Sequence, residues 1–275
     1  MEPIKIVADS AADLTALDGV DFAFAPLKIV TADREFVDTA ALNVREMTDF
    51  LARYKGRSST ACPNVNDWLT AFGEAKAVIA ITITGGLSGS YNAALTAKQV
   101  YEERHPGRRV HVIDSLSAGP EITLHIERMR EMIVAGHTFD EIITALPNYK
   151  TELLFLMESL HNFANHGRVS RAAAAAAGVL GIRALGRAGA EGTLELLAKP
   201  RGEAKSLAAV LDSMEKYGCC GGRVLISHCY AEETANRLAD KIRAAYPTAI
   251  VRVHPCRGLC SFYAEAGGML VGYEV

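Results

Sequence analysis

Charge of either sign is not in excess: 29 Lys and Arg stand against 32 Asp and Glu over 275 residues, a formal net charge of −3. A chain so balanced has no electrostatic drive toward nucleic acid or an anionic membrane. Its first residues, Met1-Glu2-Pro3-Ile4-Lys5, lack a basic segment followed by an apolar run, so no secretory signal is read there. The longest apolar stretch, 172–182, is bracketed by Arg171 and Arg183. It falls far short of the roughly 20 residues that cross a bilayer, so an integral membrane protein is not expected. The six cysteines, Cys62, Cys219, Cys220, Cys229, Cys256 and Cys260, include no C-x-x-C pair. Although His228 and His254 lie among the last five, the spacing matches no zinc pattern. Free, mostly buried thiols of a cytoplasmic protein are expected, with no metal. Three catalytic or nucleotide signatures are also missing: no Gly-Lys-[Ser/Thr] closes a P-loop, no G-x-G-x-x-G follows a strand, and no G-x-S-x-G elbow occurs.

What is present is ample apolar material, 49% of the chain, enough for one large domain or two modest ones. Residues 4–8 read as a buried strand running into the polar turn Asp9-Ser10-Ala11-Ala12-Asp13-Leu14. Residues 22–30 alternate like a second strand, with Pro26 suggesting an edge or a bend. A helix is expected over 44–54, a polar loop over 57–63, and a helix over 64–73 capped by Asn64 or Asn66. Residues 77–83 are uniformly apolar and β-branched, as a parallel strand covered on both faces should be. Helices at 91–103, 121–135 and 139–146 and a strand at 110–113 complete a βαβ-built half. Beyond Lys150, strands at 153–157, 194–198, 223–227, 250–253 and 270–273 alternate with helices from Ala172 and at 204–217, 232–245 and 261–266. The fold class is α/β with two α/β domains: residues 1–151, a parallel-sheet βαβ domain carrying the anion-binding loops, and residues 152–275, with a mixed sheet. No solenoid repeat and no long linker is visible.

The strongest local feature is strand, then Gly85-Gly86-Leu87-Ser88-Gly89-Ser90, then helix. Glycines let the backbone approach a ligand closely. The first amides of the helix lack internal partners, its dipole adds partial positive charge, and the hydroxyls of Ser88 and Ser90 are donors. Such a loop suits an anion, and it also suits a plain tight turn. In an open parallel sheet, ligands lie beyond the carboxyl ends of the strands. The ends at Asp9-Ser10, Gly85 and Asp114-Ser115 share that edge, and Thr60 in the polar loop is a candidate to return to it. Asp9 and Asp114 either pair for acid–base work or cap helices and hold these loops, the plainer role. Arg168, in Asn165-His166-Gly167-Arg168-Val169-Ser170, is either solvated or closes over an anion from the second half. His161, His166 and Cys62 have no sequence-assigned catalytic partner, so no catalytic set is expected.

These residues carry a likeness along nearly the whole chain. Lys5-Ile6-Val7-Ala8-Asp9-Ser10-Ala11-Ala12-Asp13-Leu14, Ala25-Pro26-Leu27, Phe36-Val37-Asp38, Thr60-Ala61-Cys62-Pro63, Leu87-Ser88-Gly89-Ser90-Tyr91, Val112-Ile113-Asp114-Ser115 and Gly167-Arg168-Val169-Ser170 stand in the order of seven landmarks. Together they resemble the DegV family of bacterial fatty-acid-binding proteins. The resemblance implies a long-chain fatty acid held between or within two α/β domains, without catalysis and without a cofactor. Its carboxylate is then expected on Thr60 and Ser88, with Gly89, Ser90 and Arg168 beside them and Asp9, Ser10, Asp114 and Ser115 in supporting loops. It also implies a partner, a separate fatty acid kinase that receives the bound acid. The chain departs from the family at Ala61, Ser90 and Ala184. It departs again at Ala264-Glu265-Ala266-Gly267-Gly268, where the family often shows His-x-Gly-Pro-Gly. The rival expectations are a seat for a phosphate-bearing metabolite and an enzyme using Asp9, Asp114 or a histidine. Burying an acyl tail at about 0.8 kcal/mol per methylene reaches roughly 10 kcal/mol, against about 0.3–2 kcal/mol for a carboxylate at a helix N-terminus. The tail sets affinity and the head sets orientation. Residues 153–157 and 172–182 are candidates to line the tail, or plain core.

Overall fold

The computed structural model describes residues 2–170 and 181–275. Strand β1 (Ile4–Asp9) runs into a single 3-10 turn, Ser10–Ala12, which Asp9 caps by accepting the Ala11 amide. Strand β2 (Asp21–Ala25) lies parallel to β1. The single strand expected over 22–30 divides at Pro26, because proline has no N–H to give a ladder. After it, β3 (Lys28–Thr31) enters a different sheet. Its turn is pinned where the Leu27 amide donates to Ser10 Oγ at 3.0 Å. With β4 (Glu35–Val37) and, past helix α1 (Val44–Arg53), β5 (Ser58–Ala61), it forms a small antiparallel sheet in the order β4-β3-β5. Strand β5 corrects the loop expected over 57–63. Its partner is distant in sequence, Thr60 lying opposite Ile29, so no local pattern marks it.

Helix α2 (Val65–Phe72) begins in a capping box, with Asn64 and Asp67 each accepting the other's amide. Next come β6 (Ala77–Thr82), α3 (Ser90–Arg104), β7 (Arg109–Asp114), α4 (Pro120–Val134) and α5 (Phe139–Ala145). Strands β2-β1-β6-β7 make an all-parallel sheet in that order. Alternate residues serve its two faces. Val7, Val78 and Ala80 meet Trp68, Phe72 and Tyr101 of α2 and α3, whereas Ile6, Ile79 and Ile81 meet Ile122, Ile126 and Ile142 of α4 and α5.

The second half has β8 (Thr151–Met157), α6 (His161–Asn165), β9 (Ala184–Ala188), β10 (Leu194–Ala198), α7 (Glu203–Lys216) and β11 (Arg223–His228). It continues with α8 (Glu232–Ala245), β12 (Ile250–Pro255), α9 (Gly258–Ala264) and β13 (Met269–Glu274). Its sheet runs β10-β9-β8-β13-β11-β12 and is mixed, parallel only between β11 and β12. On β8 the parity is again clear. Leu154 and Leu156 pack toward Leu207, Val210 and Leu238 of α7 and α8, while Leu153, Phe155 and Met157 face the opposite way. The alanine-rich helix expected from Ala172, and most of the stretch 172–182, lie outside the described residues.

Helix α4 is buried on nearly every side because it is shared, touching β1 and β6 of the parallel sheet and β8, β11 and β13 of the mixed one. Gly272 makes that approach possible, since a Cβ there would lie 2.7 Å from the Glu121 amide nitrogen. Among the described residues no helix is long and apolar enough to cross a membrane.

Candidate functional site

A cavity of about 400 Å³ lies between the parallel and the mixed sheet, with β5 of the small sheet beside it, within the roughly 300–1,000 Å³ of small-molecule sites. Most of its wall is apolar. Leu153, Phe155 and Met157 of β8 and Leu270 of β13 form one side, and Leu27, Ile83 and Ala118 from the loops of the parallel sheet form the other. Helix α9 adds Leu259, Cys260, Tyr263 and Ala264. The polar lining is Thr60, Ser88, Arg168 and the hydroxyl of Tyr263, with Gly89 and Cys62 beside them. A second cleft, about 500 Å³, opens between α1 and the first turn of α8 and carries Glu232, Glu233 and Arg237. None of the site residues read from the sequence faces it.

Three strand ends come together as the parallel sheet requires. Asp9 Oδ2 accepts the Ile83 amide at 2.9 Å and the Ser90 hydroxyl at 2.6 Å. Burial pushes Asp9 up to about 6, the Ser90, Ile83 and Ala11 hydrogen bonds partly offsetting it. Asp114 accepts the amides of Gly85 and Leu116, both at 3.0 Å. Ser10 holds Leu27, and Ser115 Oγ donates to the Ser117 carbonyl. Asp9 spends its oxygens on two amides and the Ser90 hydroxyl, Asp114 spends its own on amides, and neither lines the cavity, so their arrangement is that of loop holders. Ser90 is fully buried with its hydroxyl committed to Asp9. It lies behind the loop and is not among the residues that line the cavity.

Ser88 and Gly89 do face the cavity. Ser88 Oγ accepts the Ser90 amide at 3.2 Å, which leaves its own proton free to donate. Gly89 is the N-cap of α3 and offers no side chain; Ser88 takes the Ser90 amide, and among the described residues no side chain caps the next two, of Tyr91 and Asn92. Gly85 and Gly86 have a different task. A Cβ on Gly85 would stand 2.7 Å from Asp114 Oδ2, and one on Gly86 would stand 2.6 Å from the Glu191 carbonyl oxygen, in the turn joining β9 to β10. That turn sits on the glycine loop through Thr84, whose hydroxyl donates to the Gly192 carbonyl at 2.9 Å and accepts the Gly86 amide at 3.0 Å. Gly192 has φ +66°, and a Cβ there would lie 2.0 Å from Thr84 Oγ1. Gly192→Ala is expected to cost about 1–3 kcal/mol. Thermal denaturation checks this, and a variant melting with the parent would show that the turn does not bear on the loop.

Arg168 reaches the cavity through a helix ending. Helix α6 closes in a Schellman motif: Gly167, at φ +69°, donates to the Ala164 carbonyl at 3.1 Å, and the Arg168 amide donates to the Phe163 carbonyl at 2.9 Å. The motif folds Arg168 back over Phe163, so both face the cavity. Arg168 Nε donates to the Leu87 carbonyl at 3.3 Å and Nη1 to the His166 carbonyl at 2.9 Å. The guanidinium thus ties the second half to the glycine loop. His166 adds a tie to β5, with Nε2 2.8 Å from the Ser58 carbonyl oxygen.

Sequence reasoning missed Tyr263. Its hydroxyl is 2.9 Å from Thr60 Oγ1, its ring stacks on Phe163 at 4.7 Å between centroids, and the Arg168 guanidinium lies 5.9 Å from its centroid. Only its neighbour Ala264 drew notice, as the place of an absent histidine. Among the described residues no cluster of His, Cys, Asp or Glu is arranged for a metal.

The fold and cavity define an α/β protein of three sheets with an apolar interior site whose polar lining is made of hydroxyls, a helix N-terminus and a guanidinium. The chain belongs to the DegV family: a family model described as "Uncharacterised protein, DegV family" matches residues 3–274. A DegV domain-containing protein of Streptococcus gordonii is 41% identical over 277 residues, 98% of this chain and 99% of its own length. Among solved structures, a DegV family protein of Eubacterium eligens loaded with heptadecanoic acid is 44% identical with a TM-score of 0.97, covering 99% of each chain. The Fatty Acid Kinase (Fak) B3 protein of Streptococcus pneumoniae, loaded with linoleic acid, is 42% identical with the same TM-score and coverage.

Proposed function

We propose that this protein binds a long-chain fatty acid in the cavity, holds it without transforming it, and presents its carboxylate to a separate fatty acid kinase in the cytoplasm. The observation that carries the reading is the division of the wall: a long apolar body from β8, β13 and α9, with its polar groups confined to Thr60, Ser88, Arg168 and Tyr263. An acyl chain matches the body, and an anion matches the open amides, hydroxyls and guanidinium. A sugar or nucleotide phosphate would bring polar groups that the apolar body leaves without partners. Two relatives above 40% identity hold fatty acids, and one of them is a kinase's B3 protein. Six unpaired thiols suit a reducing compartment.

Purified protein extracted with organic solvent is expected to release close to one equivalent of long-chain acid by mass spectrometry. An empty protein that also fails to bind labelled fatty acid would sink the proposal. Arg168→Ala is expected to weaken binding roughly 10- to 100-fold and Ser88→Ala several-fold, from loss of charge-assisted hydrogen bonds. Parent-like binding by both variants would overturn the head-group assignment while leaving the acyl site standing.

A further inference from the structure

We infer that Tyr263 makes the direct phenol-to-carboxylate hydrogen bond in this site, with Thr60 behind it as its support. The inference rests on the fatty-acid reading above and deepens it. Thr60 and Tyr263 each carry one hydroxyl proton, and their oxygens are 2.9 Å apart. One proton is spent between them, and one is left to point into the cavity that both residues line. A phenol is a stronger donor than an aliphatic alcohol, so an anionic acceptor favours the arrangement in which Thr60 donates to Tyr263 and Tyr263 donates to the ligand. In that chain the first bond polarises the second.

The ring is held for this task. Phe163 stacks on it, Phe262 meets it edge-on at 5.0 Å, and His166 does so at 5.9 Å. These contacts come from α6 and α9 and are independent of the hydroxyl. Arg168 stands over the same ring with Nε and Nη1 bonded to backbone carbonyls, and among the described residues no carboxylate pairs with it, so its charge faces the same anion. Burial pushes the Tyr263 phenol up, with the Thr60 bond and the Arg168 charge partly offsetting it, so the hydroxyl remains a donor at neutral pH. A neutral donor beside a cation recognises an acid in preference to an alcohol of the same length.

The test compares binding of a long-chain fatty acid and the matching fatty alcohol by the parent, Tyr263→Phe and Thr60→Val. The Phe variant keeps the ring contacts and deletes only the hydroxyl. Expected is a 10- to 100-fold loss of acid binding by Tyr263→Phe, little change in alcohol binding, and a smaller loss of acid binding by Thr60→Val. A larger loss from Thr60→Val than from Tyr263→Phe would overturn the order of the two hydroxyls. Unchanged acid binding by Tyr263→Phe would overturn the role outright. A parent that binds neither ligand would bring down the fatty-acid reading itself, and this inference with it.

Discussion

Asp38→Ala lowers the melting temperature by roughly 10 °C, the largest loss expected of any single carboxylate here. The first amides of α9 are not capped by their own segment. Asp38 accepts the Gly258 amide at 3.0 Å and the Leu259 amide at 2.9 Å, while Asp13 accepts the Arg257 amide at 2.9 Å. Asp38 is only 1% exposed, and Gly258 and Leu259 are buried with it. Deleting the carboxylate leaves two amides without water or partner, at about 1–3 kcal/mol each. Burial holds the Asp38 carboxyl above the usual range, so the native state already bears a desolvation cost that the deletion partly recovers. The orphaned amides still win, because there are two of them and neither reaches solvent. Asp38→Asn keeps one acceptor and should lose less. Since α9 carries Tyr263, Cys260 and Ala264 into the cavity, ligand binding should fall with stability. Thermal denaturation followed by circular dichroism decides it: a variant melting within about 2 °C of the parent would show that the carboxylate is not holding the helix.

The second large effect is on pH. Burial pushes Asp13 up to about 7, the Arg257 amide offsetting part of this and Asp38 adding to it, and among the described residues the buried Asp13 Oδ2 has no hydrogen-bond partner. An ordinary aspartate in the unfolded chain loses its proton near 3.8. Between about pH 4 and 7 the folded protein therefore binds a proton that the unfolded chain does not, and its stability falls as pH rises through that window. For Asp13 the change amounts to about 4 kcal/mol, and Asp9, at about 6, acts in the same direction. Asp13→Asn removes the ionisation and keeps an oxygen for the Arg257 amide. It also suits the backbone there, at φ +58°, where asparagine is among the few tolerated residues. Relative to the parent, the variant is expected to be more stable by about 4 kcal/mol at pH 8 and by only about 2 kcal/mol at pH 5, the extra stability vanishing only below about pH 4. Paired urea titrations at both pH values isolate the effect, because every other carboxylate is common to the two proteins. A constant difference across the two would refute it.

Much of this architecture is legible in local pattern. The apolar run at β6, the Asn64 cap and the alternating strands and helices each follow from neighbours within a few residues. What local pattern does not carry is pairing at a distance. Strand β5 is polar and finds its partner around Ile29, so Thr60 reads as loop. Pro26 marks a break, but nothing nearby says that the chain leaves one sheet for another there. The same divide runs through the site. The loop around Ser88 is visible as glycine and serine before a helix, yet the glycines at 85 and 86 serve contacts with Asp114 and with a turn more than a hundred residues on. Arg168 is drawn inward by the Schellman ending of α6, a helix of 5 residues and too short to show a helical period. Tyr263 carries no motif, and its place beside Thr60 follows only from the packing of α9.

The carboxylates that cap α9 have one more consequence, for the order in which the molecule is made. Asp38 and its two amides are separated by 220 and 221 residues, and Asp13 and the Arg257 amide by 244. The parallel sheet closes over far shorter spans, so it can form while these acids still face water, ionised and unpaired. Burying them waits on a segment that leaves the ribosome much later, and the loop to be closed by then is long. A nascent chain stopped before residue 257 would have its central sheet but not the helix that walls the cavity. Ligand cannot be held there until nearly the whole polypeptide has been assembled.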